Sequence, residues 1–370
     1  MIRILHVVSS LNINAGVMSV IMNYYRRIDR SKIQFDFLYM EETKENHQNE
    51  IEELGGRTFF VSYPTFKIKD QKKLSAFFEE HHEEYVAVHC HPIWAAEIVA
   101  IAAKRSGIKH IIQHSHSTKF ADTKKSAIRN QILMKFVGFF ATEYMACSPE
   151  AAYLFGKKRV DKEIVTILPN AIDLDLYTFD SGLRDKIRNE FKCNKDTILV
   201  GNVGRLCPQK NQSFVLDIFQ ELHCIQPDTK LLIVGEGSLR EELERKIKEY
   251  RLDDSVYMTG KRRDIKAILS GLDMFLMPSL FEGAPVSTIE ARTAGLPCVI
   301  SDTITKSILM DGIKFISLND SAKNWAKECL DYFNSRNCFD RSDCSVMSEN
   351  GFDITKTTAQ LQDYYLSLLW

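Results

Sequence analysis

Two glutamates, an arginine and a lysine carry the most pointed chemistry in this sequence. Glu282 and Glu290 stand eight residues apart in Met274 to Asp302, MFLMPSLFEGAPVSTIEARTAGLPCVISD. A carboxylate only accepts hydrogen bonds, and adjacent hydroxyls of a sugar or ribose ring satisfy its two oxygens. Arg205 and Lys210 stand five apart in GNVGRLCPQKNQ, and two cations converging near the end of a strand suit a diphosphate. A ligand with phosphates in the middle and hydroxyl-rich rings on either side answers both pairs, which describes a nucleotide sugar. Either pair alone also occurs as solvated surface residues, so the surrounding elements decide.

Around the glutamates, an apolar run ends in Pro278 and Ser279, a short Gly/Pro loop carries Glu282, and a helix pattern from Pro285 carries Glu290 until Gly295 and Pro297 stop it. That is strand, loop, helix, strand, with the loop at the strand's carboxyl end and the helix aiming unpaired N–H groups at an anionic guest. The same rhythm runs through the chain. Strand patterns are Ile2–Val8, Ile33–Leu38, Thr58–Val61, Val86–His89, His110–Gln113, Tyr144–Ala146 and Ile164–Ile167, then Thr197–Val203, Lys230–Val234, Val256–Thr259, Met274–Met277 and Cys298–Ser301. Helical patterns between them include Gln209–Cys224, Leu239–Tyr250, Ile265–Ser270 and Val286–Ala294. This predicts an α/β protein of two Rossmann-like, doubly wound halves with one cleft. The boundary falls after residue 173: an amino-terminal domain 1–173, a second domain 174–353, and a terminal helix 354–370 that crosses back to the first.

Composition excludes several functions. A chain of 370 residues suits two domains of about 180 each. The net charge of -1 argues against general nucleic-acid binding. Nine scattered cysteines without a CxxC pair indicate neither a disulfide framework nor a zinc site. MIRILHVVSS begins at once as a strand, so no signal peptide is expected, and no apolar stretch approaches the length of a spanning helix. The expected place is the cytoplasm, with the inner face of the cell membrane as a surface to work on.

Other residues invite a role. Gly16, after the first strand, permits close backbone approach to a ligand or merely turns the chain. His89, His91, His110, His114 and His116 cluster in VHCHPIW and KHIIQHSHSTKF. They suit metal ligation or packing and loop hydrogen bonds, and metal is set aside because no cysteine or carboxylate lies at ligand spacing. Lys119 to Lys135 pairs Ile128, Ile132 and Leu133 with Lys124, Lys125, Arg129 and Lys135, the pattern of an ordinary surface helix or of one lying on anionic lipid. Asp173-Leu174-Asp175 offers a metal-binding Asp-x-Asp, rejected because it follows Pro169-Asn170 at a domain join; Asp173 is expected to cap local backbone. Gly235-Glu236-Gly237 opens a dinucleotide fingerprint but has Arg240 at its third position, which leaves a hydride-transfer site weakly supported.

Glu282-x7-Glu290 within FEGAPVSTIEARTAGLPCVISD closely resembles the signature of the retaining glycosyltransferases of family 4. The resemblance spans nearly the whole chain and implies the GT-B fold, two Rossmann-like domains facing across a cleft. It implies transfer of a sugar from a nucleotide-diphosphate donor, on family grounds a UDP-sugar, to a glycan or lipid-linked acceptor, with no metal and no further cofactor. MNYYRRIDRSKIQFDFL resembles enzymes of bacterial capsule and exopolysaccharide assembly. By the same resemblance Arg205 and Lys210 hold the phosphates, Glu282 the donor sugar and Glu290 the ribose. Amides of Gly283, Ala284, Pro285's loop and Val286 assist, and backbone around Lys261 and Arg262 of TGKRRD reads the base. His114, or less readily His116, meets the donor sugar, and Gly16 approaches the phosphates as the domains close. The chain has Ala15 and Ala171 where the family usually has glycine. These departures leave room for a non-catalytic partner on the same fold, and the fold also carries epimerases and phosphorylases.

Overall fold

Strands buried on both faces read as near-continuous apolar runs, as β-strand segments such as Met274–Met277 and Cys298–Ser301 do, and the described residues form thirteen strands in all. The structure is a computed structural model describing residues 1–62, 68–121, 124–137, 139–335, 341 and 343–370. The chain divides into two units, residues 1–171 with 354–370 and residues 172–353.

In the first unit the strands are β1 (Ile2–Ser10), β2 (Ile33–Glu41), β3 (Thr58–Phe60), β4 (Ala87–Cys90), β5 (His110–Ser115), β6 (Glu143–Ala146) and β7 (Val165–Ile167). They form one parallel sheet in the order β3-β2-β1-β4-β5-β6-β7. One side of its core joins Leu5, Val7, Leu38, Val88 and Ile111 to Val99 and Phe78 from neighbouring helices. β1 runs two residues past the expected Val8 because Ser10 still pairs with Glu41. The terminal helix Ile354–Ser367 packs on the helix Gly16–Arg27, burying Leu361 and Tyr365, and Gln362 accepts from the Asp29 amide at 3.2 Å.

The second unit has β8 (Ile198–Val203), β9 (Thr229–Val234), β10 (Val256–Gly260), β11 (Met274–Met277), β12 (Cys298–Ser301) and β13 (Ile313–Ile316). Their order is β10-β9-β8-β11-β12-β13, all parallel. Its core joins Val200, Leu231 and Leu276 to Phe219 and the fully buried Trp325. β13 and the helices Ser181–Glu190 and Ala322–Ser335 add to the elements read in the sequence.

Both sheets reverse direction of winding once, between β1 and β4 and between β8 and β11. Connections leave such a switch point on opposite faces, which opens a crevice at the carboxyl ends of the two strands. Arg205 and Lys210 follow β8 and Glu282 follows β11. Among the described residues no helix is long and apolar enough to cross a membrane.

Candidate active site

In the second unit the loop after β11 is held residue by residue against the turn after β8. Asn211 donates to the Pro278 carbonyl at 3.0 Å, the Leu280 amide donates to the Gln209 carbonyl at 2.8 Å, and the Gln209 side chain donates to the Phe281 carbonyl at 3.0 Å. Thr303 donates to the Ser279 carbonyl at 2.9 Å, and Glu282 forms a bridge with Ile304. Asn211 adopts the left-handed conformation, φ 55°, that asparagine tolerates better than most residues, and so turns the chain from Lys210 into the helix Gln212–Ile225. The result is a Lys210–Glu282 ion pair of 2.8 Å at the switch point, with Glu282 only 8% exposed.

Glu290 lies one helix turn inside Val286–Thr293. Part of its surface is accessible, yet crowding pushes its carboxyl up to about 7; the Tyr177 hydroxyl, which donates to it, and the charge of Lys210 pull the other way. Lys210 therefore acts on both carboxylates. Arg205 is exposed and pairs with no carboxylate among the described residues, so its guanidinium is available to a ligand. At the helix start the Thr288 amide turns back onto the Pro285 carbonyl at 3.0 Å. The amides of Val286 and Ser287, in the first turn, have no acceptor within their own helix.

Gly235 and Gly237 pack against that same β8 turn. A Cβ on Gly235, whose φ is +143°, would stand 2.0 Å from the Gly204 carbonyl oxygen, and one on Gly237 would stand 2.1 Å from that of Leu206. Close backbone contact explains the Gly-x-Gly pattern without a dinucleotide. The next loop is stitched on in turn, the Gly235 amide donating to the Gly260 carbonyl at 2.9 Å. Lys261 is exposed, whereas Arg262 is committed to Glu190 and Asp264, at 2.5 and 2.8 Å.

In the first unit Gly16 opens its helix with open space where a Cβ would point, and its φ is not in the left-handed region, so the turn does not require glycine. His114 is buried on β5, its Nδ1 3.1 Å from His89 Nε2. His89 Nδ1 lies 2.6 Å from the Tyr365 hydroxyl; His91 links to His6 at 3.0 Å and to His116 at 2.8 Å. The cluster thus contains His6, unread in the sequence, and not His110, which sits at the far end of β5 against Glu143 at 2.8 Å. Burial drives all five imidazoles to the neutral form, His6 to about 3 and His116 to about 4.

The comparisons with known proteins agree with this geometry. Residues 15–176 match the model described as Glycosyltransferase Family 4, and residues 184–351 match Glycosyl transferases group 1. EpsF of Bacillus subtilis (strain 168), which carries a provisional glycosyltransferase name, is 32% identical over 335 residues, covering 88% of this chain and 86% of the relative. The chain belongs to glycosyltransferase family 4. A second relative of this glycosyltransferase is the UDP-Gal:alpha-D-GlcNAc-diphosphoundecaprenol alpha-1,3-galactosyltransferase of Escherichia coli, 28% identical, covering 85% of this chain and 84% of the relative. The crystal structure of Anabaena Alr3699/HepE in complex with UDP and glucose superposes with a TM-score of 0.79 at 17% identity, covering 99% of this chain and 100% of that one. The fold of this glycosyltransferase is GT-B.

Three residues that order this part of the glycosyltransferase's second unit were not singled out in the sequence. Gln209 and Asn211 flank Lys210 in the polar run PQKNQ, where a left-handed turn between a proline and a helix was a usable signal. Tyr177 had none, because it reaches Glu290 from a distant loop. Asp173 does not cap the short turn Leu174–Leu176 with its side chain, contrary to expectation. Of the basic helix, now Lys124–Val137, the side chains of Lys124 and Lys135 lie outside the described residues; Lys125, Ile128, Arg129 and Ile132 are exposed on one face, while Leu133 is half-buried.

Proposed function

We propose that this glycosyltransferase moves a sugar, with retention of anomeric configuration, from a UDP-sugar to a lipid-linked glycan acceptor in capsule or exopolysaccharide assembly. The Lys210–Glu282 ion pair at the switch point, with Glu290 beside it, is the observation that carries the reading. It sets one cation between two groups that want hydroxyl donors, the alternation of charges a nucleotide sugar requires. UDP and glucose in the HepE complex and the galactosyl donor and undecaprenol acceptor in the Escherichia coli relative's name support the ligand class.

In this reading the bond from the anomeric carbon to the phosphate oxygen breaks and its electron pair stays on the diphosphate. Arg205, the ammonium of Lys210 and the amides of Val286 and Ser287 meet that charge, so a divalent ion is not needed for the purpose. The acceptor hydroxyl attacks from the face the diphosphate leaves, and its proton passes to the departing phosphate oxygen. Glu282 accepts from sugar hydroxyls and Glu290 from the ribose. The roles of His114, Gly16 and the Gly260–Arg262 turn rest on the family resemblance alone. Lys125, Ile128, Arg129 and Ile132, with Ile128 60% and Ile132 51% exposed, form a mixed basic and apolar face that supports work on an anionic membrane surface at the cytoplasmic side.

The test is transfer in chelator from a panel of UDP-sugars to a polyprenyl-diphosphate sugar, with the product's anomeric configuration read by NMR. Arg205→Ala and Lys210→Ala should each slow transfer by about 10²–10³, as loss of a charge-stabilising donor does. An inverted product, or folded protein that binds no uridine nucleotide, sinks the reading.

A further inference from the structure

The five clustered imidazoles of the first unit form two hydrogen-bonded chains, His6–His91–His116 and Tyr365–His89–His114. They surround a cavity of about 10 Å³, room for one water-sized or ion-sized guest, walled otherwise by apolar and tyrosine side chains. His114 Nε2, fully buried, has no hydrogen-bond partner among the described residues. Its Nδ1 is engaged by His89, which is in turn engaged by Tyr365. A second imidazole that fixes the ring and leaves the outer nitrogen's lone pair free is the support that metal-ligating histidines ordinarily have.

The sequence placed two His-x-His pairs at the ends of β4 and β5, and a period of two puts both members of a pair on one face of the sheet. His91 comes from the first pair, His114 and His116 from the second. Ligand nitrogens of these three all lie within 4.8 Å of one another. His91 and His116 are already 2.8 Å apart through Nδ1 and Nε2, and a tetrahedral ion bound at about 2.0–2.1 Å would open that pair to roughly 3.3 Å. The shift is about half an ångström. His91 keeps its other nitrogen on His6. The alternative trio His6, His89 and His91 is buried throughout, whereas His116 is partly accessible and offers a way in.

We propose that His91, His114 and His116 hold one borderline divalent transition-metal ion, of the zinc type, with the fourth position left to water. Neutral imidazoles with no carboxylate among them suit such an ion and not calcium or magnesium, which take oxygen ligands. The absence of cysteine and carboxylate partners, which set metal aside in the sequence, is no obstacle once a third imidazole arrives from the neighbouring strand. All three histidines lie in the first unit.

The test uses the full chain, stripped with chelator and titrated with Co²⁺, followed by its visible spectrum, and with Zn²⁺ by calorimetry. The expected result is one equivalent bound, a tetrahedral cobalt spectrum without thiolate charge-transfer bands, and affinity lowered at least about 100-fold in both His91→Gln and His116→Gln. His89→Gln should cost about 10–100-fold through the supporting hydrogen bond, and His110→Gln nothing. His116 stands at the accessible edge, so its variant carries the test should His91→Gln fail to fold. No binding by folded wild type, thiolate bands, or affinity unchanged in His116→Gln overturns the proposal. The readout is the metal itself and is independent of sugar transfer.

Discussion

Lys210 is shared by two carboxylates of different character, one ion-paired and one whose carboxyl burial raises to about 7. Glu290 is the more informative because its carboxyl is raised to about 7 from an ordinary 4.5. Between those values the folded state binds more protons than the unfolded chain, so stability from this residue is complete below about 4.5, falls as pH rises to about 7, and is flat above. Glu290→Gln removes the slope. Urea unfolding at pH 5, 6, 7 and 8 should show the variant gaining on wild type by up to about 3 kcal/mol, less as far as solvent reaches the carboxyl. A difference constant across the range would refute the shift. The sequence made the glutamate legible through its helix and flanks. Its environment was not legible, because the Tyr177 hydroxyl and Lys210 meet it only after folding.

At the scale of elements, two glycines that look alike in sequence do different work. Gly235 lies where backbone meets backbone, and Gly235→Ala forces apart the β8 and β9 turns, moving Arg205. Overpacking of this kind costs about 1–3 kcal/mol, so melting should fall by roughly 2–12 °C, with uridine diphosphate binding weakened in the folded fraction. Gly16 faces open space with an ordinary backbone angle. Gly16→Ala should leave stability within about 0.5 kcal/mol while slowing transfer tenfold or more if a ligand's phosphates approach its backbone; full activity would leave the glycine without a role. Strands were readable because parallel strands covered on both sides are apolar throughout. Which strands adjoin was not readable, and that is why His110 was grouped with residues roughly 13 Å farther along the sheet, while His6, a single histidine inside MIRILHVVSS, was passed over until β1 lay beside β4 with His6 opposite His89.

At the scale of the whole molecule, the chain leaves the first unit once and returns once. The Arg205 turn, Tyr177, Lys210, Glu282 and Glu290 all lie in the uninterrupted stretch 172–353. Its two ends are tied to each other, the Ile172 amide donating to the Phe352 carbonyl at 3.0 Å beside a parallel bridge between Ile172 and Asp353. A stretch with joined ends and its own buried core, Trp325 and Phe219 included, meets the requirements of an autonomous domain. Residues 172–353 expressed alone should unfold in a single cooperative transition and bind uridine diphosphate in chelator. At a hundredfold the dissociation constant the ligand adds about 2.7 kcal/mol, worth roughly 5–10 °C in a domain this size, and Lys210→Ala should abolish the gain. A fragment that melts without cooperativity would show that the first unit is needed for the second to fold. A cooperative fragment that ignores a nucleotide stabilising the full chain would instead place part of nucleotide recognition in the first unit.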